Sequence, residues 1–375
     1  MKKLTALMLA MALSLSLFAG CSSAPASSEP ESTEPEVRTV TVTDMSGDEV
    51  TVTGEVETIV NLWPAGTSSF FVMGAGDLVE ALANNSPATM NAWTKHFYAE
   101  SVNIPAMGGT TPAVEEIINM EPDLVIVHPS SAKDGYAQQI RDAGVPAINI
   151  NFSNYETMTK AYTMLGDILG GEYEAKLDNW CKEVTELSEK SKELTKDVAE
   201  EDKPVVLYIA GQKDSLTTTM SSGTIVEEWV NISGGVYAPT VMGLEGTEVT
   251  EEAIFDLNPD IIIVGGTYQH ILLDKIATLD GWKDLDAVKN GTVYRNPYGC
   301  FNWDRFGLES RLQIEYALMC IQPEIAEANG ITRDYMVDRI IEFYKTMNGT
   351  VLTETEAGYM LDGLQPDGTQ EIPAA

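Results

Sequence analysis

The sequence is short of positive charge. Its 23 lysines and arginines face 57 aspartates and glutamates, a net charge of −34. Nucleic-acid binding needs a basic face and is excluded as a main role. Attraction to anionic lipid headgroups is excluded on the same ground, and any anionic ligand must be met by positive charge inside its own site. Cysteine is scarce as well, with four residues and no Cys-x-x-Cys pair. Beyond Cys21 there remain Cys181, Cys300 and Cys320, an odd number that precludes complete intramolecular pairing. A Cys300–Cys320 disulfide and free, partly buried thiols both stay open. The sequence has no Gly-x-Ser-x-Gly elbow, no phosphate-binding loop and no His-Glu-x-x-His helix, so no enzyme is expected. The acids of Asp-Met-Ser-Gly-Asp at 44–48 read as a hairpin turn.

Long apolar runs are also missing. The longest near the start, Leu4 to Phe18, falls short of the roughly 20 residues of a spanning helix. Lys2 and Lys3 precede it and Ala19, Gly20 and Cys21 follow, the layout of a secretory signal over residues 1–20. Phe-Ala-Gly-Cys followed by two serines resembles a bacterial lipoprotein cleavage site, with Phe18 where leucine is more usual. The resemblance implies lipidation of Cys21, and two acyl chains suffice for stable anchoring. Cleavage there would remove Lys2 and Lys3 and no acid, taking the charge from −34 to −36. Residues 21–36, with Pro25, Pro30 and Pro35 among Ser, Thr and Glu, read as a solvated tether.

What is present is a repeat. Val-Glu-Glu-Ile-Ile-Asn-Met-Glu-Pro-Asp-Leu-Val-Ile-Val at 114–127 matches Glu-Glu-Ala-Ile-Phe-Asp-Leu-Asn-Pro-Asp-Ile-Ile-Ile-Val at 251–264. Each reads as a short helix leading through Pro-Asp into an apolar strand. The fold class expected is α/β: two similar lobes with a ligand cleft between them. The first lobe is assigned to 37–155. It has a hairpin (39–42 with 50–52), strands at 58–62, 123–127 and 147–150, and helices at 67–73, 112–120 and 134–143. The second lobe is assigned to 204–348, with strands at 205–209, 261–264 and 293–294 and helices at 223–230, 251–257, 304–321 and 333–347. Alternating strands and helices imply parallel sheets with right-handed crossovers. Residues 349–375 are assigned to a C-terminal tail, frayed from Gln365.

Residues 156–203 connect the lobes. From Glu172 to Val198 there is neither proline nor glycine. Tyr173, Leu177, Trp180, Val184, Leu187, Leu194 and Val198 recur at helical spacing, with Ser191 filling the gap. A helix of this length spans roughly 40 Å. It serves as a rigid strut between lobes, with a coiled-coil dimer as the rival reading.

Thr-Val-Thr-Asp-Met-Ser-Gly-Asp-Glu-Val, Ile-Val-Asn-Leu-Trp-Pro-Ala-Gly-Thr and Met-Gly-Ala-Gly-Asp, with the two Glu-x6-Pro-Asp segments, resemble ABC-transporter substrate-binding proteins for iron–siderophore complexes, haem and cobalamin. The late stretch from Asn296-Pro297-Tyr298-Gly299 through Trp303-Asp304-Arg305 to Pro323-Glu324 fits the same group, and the similarity runs from about Arg38 to Leu361. The resemblance implies two lobes that close only slightly on a chelate. It also implies a monomer with no cofactor of its own, delivering a metal chelate to an ABC permease dimer driven by its ATPase. One acid on each lobe docks on the permease; by motif position these are Glu115 and Glu252, with Glu116 and Glu251 adjacent. Stabilisation of the helix macrodipole is the competing explanation for these glutamates.

Open α/β sheets bind ligands beyond the carboxyl ends of their strands. Reading past each strand gives Trp63 and His128 in the first lobe. In the second lobe it gives Gln212, Lys213, Tyr268, His270, Tyr298, Phe301, Trp303 and Arg305. Arg305 is the candidate grip on a carboxylate or catecholate, with a salt bridge to Asp304 or Glu309 as its structural alternative. Core packing is the alternative for Trp63 and Trp303. His270 with Tyr268 or Tyr298 is a candidate for completing the coordination of a bound ferric ion. Direct metal capture by His96, His128 and His270 is a weaker version, since they lack a short ligand spacing.

Overall fold

The computed structural model describes residues 37–85, 90–128, 131, 135–151 and 153–371; the signal, Cys21 and the tether lie outside them. Arg38–Ala375 forms one compact unit. It contains a hairpin and two four-stranded sheets. The hairpin pairs β1 (Thr39–Thr43) with β2 (Glu49–Thr53), antiparallel. Asp44 closes its turn, Oδ1 accepting from the Ser46 and Asp48 amides, while Oδ2 accepts from the Asn149 amide. These acids hold the hairpin to the first sheet.

The first sheet contains β3 (Ile59–Asn61), β4 (Val79–Leu82), β5 (Leu124–Val127) and β6 (Ala147–Asn149), ordered β4-β3-β5-β6. The second contains β7 (Val205–Ile209), β8 (Val236–Tyr237), β9 (Ile261–Val264) and β10 (Val293–Arg295), ordered β10-β9-β7-β8. All pairs within both sheets are parallel. Counted along the chain, each sheet runs second, first, third, fourth strand. The two halves therefore share one topology, and the repeated segments form its third strand and preceding helix, Val114–Ile118 and Glu251–Leu257.

The repeated Pro-Asp has a visible function. Asp123 Oδ2 accepts from the Glu57 and Thr58 amides just before β3, and Asp260 Oδ2 accepts from the Val205 amide that opens β7. Each aspartate thus pins the third strand of its sheet to the first. Among the described residues two non-glycine positions have positive φ, Glu121 at 50° and Asn258 at 47°, and each precedes the repeat's proline. Asparagine tolerates this left-handed region and glutamate does not. Glu121→Asn is expected to stabilise the protein by up to about 1 kcal/mol, read as a higher urea midpoint at unchanged slope.

The strut runs over Gly171–Thr195, beginning where Gly170 and Gly171 both adopt positive φ and break it from the preceding helix, Tyr155–Leu169. Leu177, Trp180 and Val184 are buried as the periodicity requires. Further along, Ser188, Ser191 and Thr195 turn inward, while Leu187 and Leu194 are only partly covered. Trp180 stands edge-on to Tyr162, centroids 4.8 Å apart, and its indole N–H donates to the Leu308 carbonyl at 2.6 Å. The middle of the apolar stripe, Leu177 to Val184, is therefore covered within the chain, which favours the strut over the coiled coil.

Three expectations change. The helix expected from 304 begins at Ser310, because Asp304, Arg305 and Glu309 are engaged in a buried loop. The strands β4 and β8 and the helix Ala92–Phe97 were not anticipated. Within the segment assigned as a tail, a capping box between Thr353 and Glu356 starts the helix Glu354–Leu361. Trp93 then donates to the Leu364 carbonyl at 2.9 Å, and Gln365–Thr369 closes a turn.

Candidate functional site

In each sheet the chain reverses its strand order between the first and third strands, where open sheets leave a crevice at the carboxyl ends. In the second half that crevice is filled. Gly211 and Gly265 approach so closely that a Cβ on Gly211 would lie 1.7 Å from the Gly265 carbonyl oxygen. Beside them Arg305 donates from Nη2 to the Ala210 carbonyl at 2.8 Å and from Nε to Asp304 at 3.1 Å. Tyr208 in turn donates to Asp304. Arg305 is 7% exposed. The geometry is that of the structural salt bridge to Asp304, which closes β7 against β9.

An open space lies between the first half and the loop after β10. A cavity of about 210 Å3 is lined by Pro64 and Thr67 after β3, by Leu82, Asn84 and Asn85 at the end of β4, and by Cys300 and Phe301 from the second half. Phe71, Met90, Asn91 and Thr94 complete its walls with Ser68. Thr94 Oγ1 donates to the Cys300 carbonyl at 3.4 Å across the junction. Phe97 stacks at a tilt on Tyr344, 5.1 Å between centroids, and His96 meets Glu356 at 3.2 Å. The helix Ala92–Phe97 thus belongs by sequence to the first half and packs on the second.

Of the residues expected from sequence, Phe301 lines this cavity. Trp63 is buried beneath it, its ring so close to Gly66 that a Cβ there would lie 2.2 Å away. Trp303 is fully buried and edge-on to Tyr316, in the core. Tyr298 is buried beside Arg295 and the carboxylates of Asp367 and Glu371, and burial pushes its phenol up. Gln212 and Lys213 are exposed after β7, and Tyr268 and His270 are half-buried around the start of the helix Gln269–Thr278. None of these four lines the cavity. His128 follows β5, half-buried, its imidazole pushed below the ordinary range by burial. Among the described residues no group of three or more His, Cys, Asp or Glu could hold a metal ion. Direct capture by His96, His128 and His270 therefore finds no support. Cys181, Cys300 and Cys320 are all free thiols.

The sequence reading missed Phe71, Asn84, Asn85, Met90, Asn91 and Thr94. The Asn84-Asn85 pair was the available signal, but β4, Val79–Leu82, is too short and carries Glu80, so it does not announce itself.

Behind the cavity sits Glu309, fully buried. Its Oε2 accepts from the Phe301 amide at 2.7 Å and its Oε1 from the Tyr344 hydroxyl. Burial pushes its carboxyl up to about 8, against the opposing effect of these donors. The folded state therefore holds this proton more tightly than the unfolded chain. The stabilisation is fully present below the ordinary carboxylate range and is lost as pH rises through about 8. Glu309→Gln is expected to remove that component, so that its urea midpoint falls less than the wild type's between pH 5 and 8.

A sequence profile for the periplasmic binding protein family matches residues 66–298. The uncharacterized ABC transporter substrate-binding lipoprotein YvrC of Bacillus subtilis is 28% identical over 302 residues, covering 78% of this chain and 90% of the relative. The Fe(3+)-citrate-binding protein YfmC of the same organism is 26% identical over 220 residues, covering 58% and 66%. A periplasmic solute binding protein from Veillonella parvula has a crystal structure that superposes with a TM-score of 0.70. It is 23% identical and covers 88% of this chain and 99% of that one.

Proposed function

Because the chain belongs to the periplasmic binding protein family, we propose that it is the extracytoplasmic receptor of an ABC importer, capturing a ferric siderophore or related iron complex. The observation that carries this reading is the cavity between loops of two sheets of the same topology. Such a cavity suits reversible capture: apolar walls with a few neutral polar groups and no catalytic constellation. The names of YvrC and YfmC support the transport role and the iron cargo.

Glu115 and Glu252 are the docking acids of this account. Both are exposed in the first turns of helices that precede the third strand of their sheets. Two matched carboxylates on a two-lobed protein can set its register on a two-subunit permease. Glu251 is the poorer candidate because its Oε1 accepts from the Trp282 indole at 2.9 Å. Lipidation at Cys21 would hold this monomeric receptor at the membrane surface, as the lipoprotein name of YvrC supports.

The test is uptake of radioactive iron supplied as siderophore or citrate complexes to cells lacking the chain. Uptake of at least one complex should fall and return on complementation. Unchanged uptake of every iron complex, haem and cobalamin would remove the transport reading.

A further inference from the structure

Phe301 reaches the cavity from a tight turn. Tyr298 and Asn302 form an antiparallel bridge at its base, and the Gly299 amide donates to the Phe301 carbonyl at 3.1 Å. A short loop of this kind is aimed by the scaffold beneath it. Here that scaffold is a pair of side chains, Glu309 just before the helix Ser310–Ile321 and Tyr344 on the helix Arg333–Asn348. Both are fully buried. Glu309 Oε2 accepts from the Phe301 amide at 2.7 Å, Tyr344 donates to Glu309 Oε1, and the Cys300 amide donates to Tyr344 Oη at 3.3 Å. Gly299 lies against both groups: a Cβ there would stand 2.1 Å from Glu309 Oε1 and 2.2 Å from Tyr344 Oη. Three consecutive residues of the turn thus rest on the pair.

The same pair reaches the opposite wall. The Tyr344 ring packs on Phe97 of the helix Ala92–Phe97. Thr94 of that helix lines the cavity and donates to the Cys300 carbonyl. The hydroxyl of Tyr344 therefore holds the turn on one side, and its ring holds the helix on the other. A carboxyl is costly to bury, and an apolar side chain would fill the same volume. What the carboxyl adds is direction, because its two oxygens fix where one amide and one hydroxyl stand.

We infer that Glu309 and Tyr344 are positioning residues for ligand capture: buried away from the ligand, they set the spacing between the Phe301 and Thr94 walls of the cavity. The inference rests on the chelate-receptor reading.

The experiment is a tryptophan-fluorescence titration of the full-length chain in detergent with ferric citrate, ferrichrome and ferric enterobactin. A double-mutant cycle follows with the complex bound most tightly. Glu309→Gln keeps an acceptor for the Phe301 amide but sets an NH2 group against the Tyr344 hydroxyl. Tyr344→Phe deletes that hydroxyl and keeps the ring on Phe97. Each is expected to weaken binding at least about fivefold per folded molecule, the scale of one lost hydrogen bond. In a Phe301→Leu background the same substitutions are expected to cost no more than about twofold, because the side chain they aim has changed. A role in stability alone would lower the denaturation midpoint and leave affinity per folded molecule unchanged, or add the same loss in both backgrounds. Either result overturns the inference and leaves the receptor reading standing. If Glu309→Gln does not fold, Tyr344→Phe decides by the same criteria. Silence of the wild type toward all three complexes overturns both.

Discussion

Glu115→Ala combined with Glu252→Ala is expected to leave chelate affinity unchanged and to reduce iron uptake by at least about tenfold, the scale on which paired interfacial charges act. The two carboxylates lie on the first turns of topologically equivalent helices and are exposed. Their local contribution is a first-turn interaction with the helix dipole, about 0.3–1 kcal/mol each, which the fold can lose without unfolding. Loss of uptake with intact binding therefore isolates delivery from capture. The single variants should each show a smaller defect, because one anchored lobe still orients the other. Full uptake by the double variant would sink the docking assignment.

Arg305→Ala is expected to cost about 3–5 kcal/mol of stability, the usual consequence of removing one partner of a buried pair. The substitution strands the fully buried Asp304 beneath the Gly211–Gly265 contact and removes the donor to the Ala210 carbonyl. Affinity per folded molecule should stay within about threefold, since the guanidinium does not line the cavity. The sequence left this arginine between a ligand grip and a salt bridge to Asp304 or Glu309. A denaturation midpoint unchanged from wild type, with affinity for an anionic chelate lost, would establish the grip and overturn the structural assignment.

The contrast between these two predictions shows what the sequence can carry. The helix–Pro-Asp–strand repeat was legible because its signals are local. Amphipathic spacing, a proline stop and an unbroken apolar run mark the third strand of each sheet wherever it occurs. The strut was legible for the same reason, and its late inward turn from leucine to serine was not. For Arg305 the ligand grip and the salt bridge to Asp304 both stayed open in the sequence, because Tyr208 and Ala210, which hold it, lie nearly a hundred residues away in the chain. The cavity wall was missed because β4 is four residues long and lacks alternation, so the loop that follows it had no visible strand to follow. The aromatic residues read there, Trp63 and Trp303, are buried in the core, the alternative that the sequence left open for them.

The central claim, reversible capture of an iron chelate between the two halves, is tested most directly by calorimetric titration of the full-length chain with ferric chelates, followed by recovery of the ligand. The account predicts saturation at one chelate per chain, abolished or weakened at least about tenfold by Phe301→Ala, the loss expected for a buried aromatic contact. It also predicts that the chelate is recovered chemically unchanged. Recovery of a converted product, or binding indifferent to Phe301→Ala, would contradict it.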